Sequence, residues 1–390
     1  MNNRYYSLDV FRGATVALMI LVNNPGSWNH IFSPLEHAKW HGATPTDLVF
    51  PFFLFAVGNA MAFVMPKMEK AGTGIFLGKV IKRSLIIFGI GIFLNWSPFV
   101  RWSDGELVFR HWVDPQNPES GIRILGVLQR IALAYLFASL IVYFLKLRAA
   151  FLLSFSLLVA YWALCLFLGK SGDPYSLEGY FGNQVDKAIL GIPHMYKGEG
   201  VPFDPEGIMS TIPAIVQVIF GYMVGNYILQ KGKSFEMLSN LLVAGSILVF
   251  TGFIWDLSFP INKKIWTSSY VLYTTGLAIM VLSVFIYLLE FKELKGWWSK
   301  FFDVFGKNPL FIFVLSGFLP RVLALLRWVD HVTPEGKKIY TSALPWFYNH
   351  LCKPISSNLK IGSLIYAICF IAFMWLIALW LDKKKIYVKV

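Results

Sequence analysis

Charge is scarce in this 390-residue chain: Asp, Glu, Lys and Arg together make up 15% of it, against 56% hydrophobic and 17% aromatic residues. A soluble domain of this length carries roughly a quarter charged residues, so an ordinary water-soluble globule is excluded. Cysteine is almost absent: Cys165, Cys352 and Cys369 are scattered, with neither metal-ligand spacing nor a redox pair. A disulfide framework and a cysteine-ligated metal are therefore not expected, and no metal of any kind is. There is no P-loop, dinucleotide fingerprint, zinc signature or Gly-x-Ser-x-Gly elbow, which removes the common hydrolase, nucleotidase and metalloenzyme classes. Repeats, low-complexity tracts and linkers are also missing, so residues 1–390 are read as one domain.

What the chain has is apolar runs. A helix needs about 20 apolar residues to cross a hydrocarbon core of about 30 Å. Segments of that kind recur at 8–24, 46–66, 76–96, 124–146, 150–170, 208–230, 236–255, 268–289, 301–325 and 361–381. The expected fold is therefore all-α, a polytopic membrane protein with about ten transmembrane helices. The stretch 340–357 is broken by Pro345, His350, Lys353 and Pro354 and is expected to form a short half-helix outside the count. Asp9 and Arg12 interrupt the first apolar run and no small-residue cleavage site follows, so this helix is expected to stay in the mature protein.

Loop charge orients the chain. One set of loops carries Lys67, Lys70, Lys79, Lys82 and Arg83, then Lys146 and Arg148, Lys231 and Lys233, Lys292, Lys295 and Lys300, and the tail Lys383, Lys384, Lys385 and Lys389. The opposite set mixes signs, with Asp104, Glu106, Asp114 and Glu119, then Asp173, Glu178, Asp186, Glu199, Asp204 and Glu206. Both termini are thus expected in the cytoplasm. The net charge of +13 is spread over several short loops and implies membrane lipid, not nucleic acid, as its partner. The long outward loops 97–123, 171–207 and 326–360 are rich in Gly, Pro and aromatic residues and are expected to cover an outward cavity.

All seven histidines fall in outward segments, three of them (His30, His37 and His41) in the first outer loop. Asn23 and Asn24 end the first span before Pro25-Gly26, and Thr46 or Asp47 caps the second. Asn23, His37 and Asp47 therefore lie in one short segment, bringing together an amide, an imidazole and a carboxylate. A base that takes a proton, an amide that stabilises an oxyanion and a carboxylate that orients the base suit acyl transfer. Plain turn chemistry accounts equally well for the asparagines, and a structural ion pair accounts equally well for Asp9 and Arg12.

The segments Ser7-Leu8-Asp9-Val10-Phe11-Arg12-Gly13, Val22-Asn23, His37-Ala38-Lys39-Trp40-His41-Gly42 and Asp47-Leu48-Val49-Phe50-Pro51-Phe52-Phe53 resemble the heparan-alpha-glucosaminide N-acetyltransferase family. So do Gly126-Val127-Leu128-Gln129-Arg130, Phe203-Asp204-Pro205-Glu206-Gly207, Lys264-Ile265-Trp266-Thr267-Ser268-Ser269-Tyr270 and Gly306-Lys307-Asn308-Pro309-Leu310. The resemblance implies transfer of acetyl from cytoplasmic acetyl-CoA to the amine of a glucosamine-type sugar across the membrane. His37 would be the catalytic histidine and Asn23 the active-site asparagine, with Asp47 beside them. A bacterial relative of this kind belongs in the inner membrane.

Acetyl-CoA is the co-substrate implied. Lys79, Lys82, Arg83, Lys231 and Lys233 are candidates for its phosphates, with Arg12 deeper in the path. On the outer side Asn24, Arg130, Asp204 and Glu206 are candidates for the sugar, and Trp28, Trp40, Trp112 and Trp266 for stacking on its ring. A homodimer is left open by the sequence. The competing readings are a secondary transporter of amino sugars and an O-acetyltransferase of a surface glycan.

Overall fold

The computed structural model describes residues 5–103 and 105–388; Asp104 and Lys389, used above for loop charge, lie outside them. The described chain is mostly helical. It runs α1 (Tyr6–Asn23), α2 (Val49–Ala71), α3 (Thr73–Trp96), β1 (Val100–Ser103), β2 (Glu106–Phe109), α4 (Val127–Phe144), α5 (Leu147–Leu168), α6 (Gly182–Leu190), α7 (Thr211–Lys231) and α8 (Phe235–Asp256). It continues with α9 (Ser268–Ile286), α10 (Trp297–Lys307), α11 (Pro309–Leu323), β3 (Arg327–Val332), β4 (Lys338–Ser342), α12 (Ala343–Phe347) and α13 (Leu359–Lys383).

Among the described residues eight helices are long and apolar enough to cross a membrane: α1, α2, α4, α5, α7, α8, α9 and α13. The expected span at 301–325 is broken. Asn308-Pro309 interrupts it, because proline has no N–H to continue the ladder, and α10 and α11 meet at a bend of 82°. Counted as one bent element, the pair makes a ninth candidate. The segment expected at 76–96 does form one helix, α3, but Lys79, Lys82 and Arg83 in it lower its apolarity. Residues 343–352 form α12 and one wider helical turn, the short half-helix expected there.

The core is shared by α1, α2, α4, α7 and α9, whose facing sides are buried. By contrast α5, α8 and α13 leave most of their apolar surface uncovered, as lipid-facing helices do. Where α2 crosses α7, glycines let the backbones touch: a Cβ on Gly58 would lie 2.0 Å from the Val218 carbonyl oxygen, and one on Gly221 would lie 2.1 Å from that of Phe55.

The first helix and the segment after α13 both bond to residues 290–308. The Ser7 N–H donates to Glu290 at 2.9 Å, Arg12 Nε donates to the Gly306 carbonyl at 3.0 Å, and the Asn308 amide donates to the Ile386 carbonyl at 2.9 Å. Two antiparallel hairpins, β1–β2 and β3–β4, lie within the loops 97–123 and 326–360. The Arg327 guanidinium joins them, 3.7 Å from the Trp102 ring and 4.3 Å from that of Tyr340.

Filling the glycine contact should separate α2 from α7. Gly221→Val is expected to destabilise the protein by about 1–3 kcal/mol, read as a lower Tm in detergent. Gly78→Val, with open space around its Cβ, should leave Tm unchanged.

Candidate active site

The loop between α1 and α2 is organised by Asp47. Thr44 and Pro45 open a short 3₁₀ turn, Pro45–Leu48, that leads into α2. In its second and third residues the side chains fold back: Thr46 Oγ1 donates to the Pro34 carbonyl at 3.1 Å, and Asp47 Oδ2 accepts the N–H groups of Ala38 at 2.9 Å and Thr44 at 3.0 Å. The other oxygen, Oδ1, meets His37 Nδ1 at 2.6 Å. A carboxylate only accepts, so Nδ1 carries a hydrogen, and in the neutral ring the lone pair is then on Nε2. Asp47 is 1% exposed and His37 is 42% exposed, so the pair has a buried anchor and an accessible base.

Lys263, in the loop between α8 and α9, lies against this pair. Its Nζ is 3.1 Å from His37 Nδ1, 3.3 Å from Nε2 and 3.5 Å from Asp47 Oδ1. Burial lowers its pKa, against the opposing pull of Asp47 and Glu206. Its neighbour Lys264 pairs with Glu199 at 2.5 Å and donates to the Lys39 carbonyl at 2.8 Å. The fold of this loop is set by the buried Asn262, whose side-chain oxygen accepts the N–H groups of Lys264 at 2.7 Å and Ile265 at 3.1 Å.

The facing wall comes from the segment before α7. Arg123 Nε donates to Asp204 at 3.0 Å, and its Nη2 reaches both Asp204 and Glu206 at 2.5 Å. Burial alone would lower the Arg123 pKa, but the two carboxylates outweigh it and raise it. Burial likewise works to raise the Glu206 pKa, and Arg123 with Arg130 overcomes it and lowers it.

A cavity of about 240 Å³ lies between these walls, and Asn23, His37, Trp40, Asp47, Arg123, Tyr196, Glu199, Glu206, Lys263, Lys264 and Trp266 are among its lining residues. It therefore unites the sequence candidates Asn23, His37, Asp47, Trp40, Glu206 and Trp266. The Trp40 indole is held by donation to the Tyr175 carbonyl at 2.8 Å.

Other candidates stand behind the wall. Asp204 is 1% exposed, with both oxygens on Arg123, and supports Glu206 from outside the cavity. Arg130 is fully buried, bonded to Ser210 and to the Gly207 carbonyl at 3.3 Å, with its guanidinium 5.0 Å from the Trp266 ring. Asn24 turns back to the Ile20 carbonyl at 2.9 Å and lines a neighbouring cavity.

That neighbouring cavity, about 590 Å³, shares Asn23, Arg123 and Val127 with the first and lies against α3, α4 and α11, at Gly91, Gln129 and Ser316. Further along the same three helices, at Ile87, Ile131 and Leu310, lies a cavity of about 270 Å³ that is also lined by Arg12 and Arg83. Arg12 also lines a groove of about 610 Å³ with Asp9, Asn59 and Lys67. Of the candidate phosphate ligands, Arg12 and Arg83 line these cavities. Lys79 and Lys82 are exposed on α3, Lys231 pairs with Glu236 at 2.9 Å, and Lys233 lies 5.3 Å from the Phe291 ring.

Lys263, Lys264, Arg123, Glu199 and Tyr196 were not among the sequence candidates. The Lys263-Lys264 pair does carry a signal, since it lies on the side of the bundle that otherwise mixes signs and is separated from Trp266 by Ile265 alone.

The fold and this chamber describe a multi-helix membrane protein with a histidine–carboxylate pair in a pocket lined by charged side chains at one end of the bundle. The chain belongs to the family described as heparan-alpha-glucosaminide N-acetyltransferase, catalytic, whose model matches residues 4–260. Among its relatives are the heparan-alpha-glucosaminide N-acetyltransferases of Mus musculus, 26% identical over 375 residues, and of Homo sapiens, 28% identical over 374. Each alignment covers 80% of this chain and 53% or 52% of the relative, so the chain spans about half the length of the curated relatives it matches.

Near the chamber, burial pushes the Asp186 carboxyl up to about 7, although Ile208 N–H donates to it at 2.9 Å. The folded protein therefore holds a proton there that the unfolded chain releases near pH 4. Stability should fall as pH rises from about 4 to 7, then level off. In Asp186→Asn this decline should be smaller, as read from Tm against pH.

Proposed function

We propose that this chain is a transmembrane N-acetyltransferase that moves acetyl from cytoplasmic acetyl-CoA to the amine of a glucosamine-type sugar on the opposite, periplasmic side. The observation that carries this reading is the His37–Asp47 pair in a chamber lined by charged side chains, with two further cavities along the bundle, the second lined by Arg12 and Arg83. With α3 and the bent α10–α11 pair counted, the chain crosses the bilayer ten times and keeps both termini in the cytoplasm. A bacterial inner membrane suits the arrangement.

The donor has an anionic nucleotide end and a long, nearly neutral arm. Arg12 and Arg83 match the first, and the apolar walls at Phe53, Ile87, Ile131 and Leu310 match the second. The thioester then arrives beside Asn23, which lines both the outer cavity and its neighbour. The sugar enters the chamber, where Glu199 and Glu206 accept from hydroxyls while Lys264 and Arg123 donate, and Trp40 or Trp266 supplies an apolar face.

Chemistry follows from the tautomer. With Nδ1–H fixed on Asp47, Nε2 takes a proton from the amine as nitrogen attacks the thioester carbonyl. Asp47 stabilises the resulting imidazolium, and the Asn23 amide donates to the oxyanion. Direct transfer requires fewer steps than a route through an acetyl-imidazole.

Purified protein in detergent should release CoA from acetyl-CoA when glucosamine is added, with no gradient present; a transporter would not. His37→Ala should lower kcat by about 10²–10⁴-fold with little change in Tm. Retention of near-normal turnover would end the assignment. Arg83→Gln should raise KM for acetyl-CoA and leave KM for the sugar nearly unchanged; equal effects would remove Arg83 from the donor path.

A further inference from the structure

The reaction assigned above needs one charge handled that neither His37 nor Asn23 meets. When the carbon–sulfur bond breaks, its electron pair leaves on sulfur, and a thiolate must be stabilised and protonated. Among the described residues one amine is in direct reach of the catalytic imidazole. Lys263 Nζ is 3.3 Å from Nε2, and it lies nearly as close to Nδ1, which places it over the ring face and outside the direction of the Nε2 lone pair.

A nucleophile hydrogen-bonded to Nε2 lies about 2.8 Å from it, hence within about 6 Å of the lysine whatever the pose. The carbonyl carbon and its leaving sulfur are one and two bonds further on. Lys264 and Arg123 are already bound in short ion pairs with Glu199, Asp204 and Glu206. Lys263 has a looser carboxylate contact, 3.5 Å to Asp47, whose Oδ1 is already taken at 2.6 Å by His37. Burial, which favours the neutral amine, makes it a readier acid.

We propose that Lys263 is a catalytic residue: its ammonium receives the departing CoA thiolate and gives it its proton. This rests on the acetyl-transfer reading above. The amine nitrogen forms its bond to the carbonyl carbon while His37 Nε2 takes the proton; the carbon–sulfur bond breaks, and sulfur takes a proton from Lys263. The imidazolium then gives up its in-plane Nε2 proton to solvent, and the neutral lysine regains one from solvent. Amine and thioester become amide and thiol, and both side chains end as they began.

The test compares wild type, Lys263→Met and Lys263→Arg in two measurements: turnover of acetyl-CoA with glucosamine, and inhibition by CoA against desulfo-CoA, which lacks the sulfur. Lys263→Met should lose about 10²–10³-fold in kcat with both KM values within a few-fold of wild type, and Lys263→Arg should recover part of the loss. Wild type should bind CoA more tightly than desulfo-CoA, increasingly so at alkaline pH, and Lys263→Met should bind the two alike. An active wild type whose preference for CoA is absent, or survives in Lys263→Met, overturns the assignment; so does a Met variant with normal kcat. A wild type that releases no CoA from acetyl-CoA in the presence of amine instead overturns the transfer reading itself.

Discussion

Both carboxylate oxygens of Asp47 are occupied by the loop that precedes α2. Oδ2 collects two backbone N–H groups and Oδ1 the imidazole of His37, while the Asp47 backbone carbonyl accepts the Tyr270 hydroxyl at 2.5 Å. One buried residue thus closes a ten-residue loop, begins a long helix and joins it to α9. Such a carboxylate is desolvated at a cost that only several charge-assisted hydrogen bonds offset. Those same bonds fix the tautomer of the base. Loop order and base orientation are therefore one physical fact.

Around that anchor the chamber is a set of opposite charges held apart by the fold. Lys264–Glu199 forms one rim, and Arg123 with Asp204 and Glu206 forms the other. Buried pairs of this kind add little to stability relative to well-packed apolar groups, because desolvation consumes most of their attraction. Their value is positional. They hold donors and acceptors around a small cavity.

The helices were legible because their signal is local: a run of apolar residues of fixed length reads the same whatever packs against it. The break at Asn308-Pro309 was written in the sequence as well, yet the apolar residues on both sides made 301–325 look continuous. The site was legible where it was sequence-local, as Asn23, His37 and Asp47 lie within 25 positions and fold together. Lys263 was not, since it meets His37 across 226 residues and only tertiary packing supplies that contact. Arg130 and Asp204 illustrate the converse. Their charge in an apolar setting pointed toward the sugar site, and the structure uses it one layer behind, under Trp266 and Glu206. The two hairpins carried too little alternation in 97–123 and 326–360 to be told from ordinary loops.

The glycine crossing of α2 and α7 has a mechanical meaning for the chamber. Asp47 stands at the entrance to α2 and Glu206 shortly before α7, so the two helices are the jaws on which opposite walls are mounted. Because Gly58 and Gly221 put backbone against backbone, the spacing of those jaws is set by peptide groups that have no rotamers to relax. The aperture between the Asp47 and Glu206 walls is thus gauged by a backbone contact, and any change in its width must come from the loops above it.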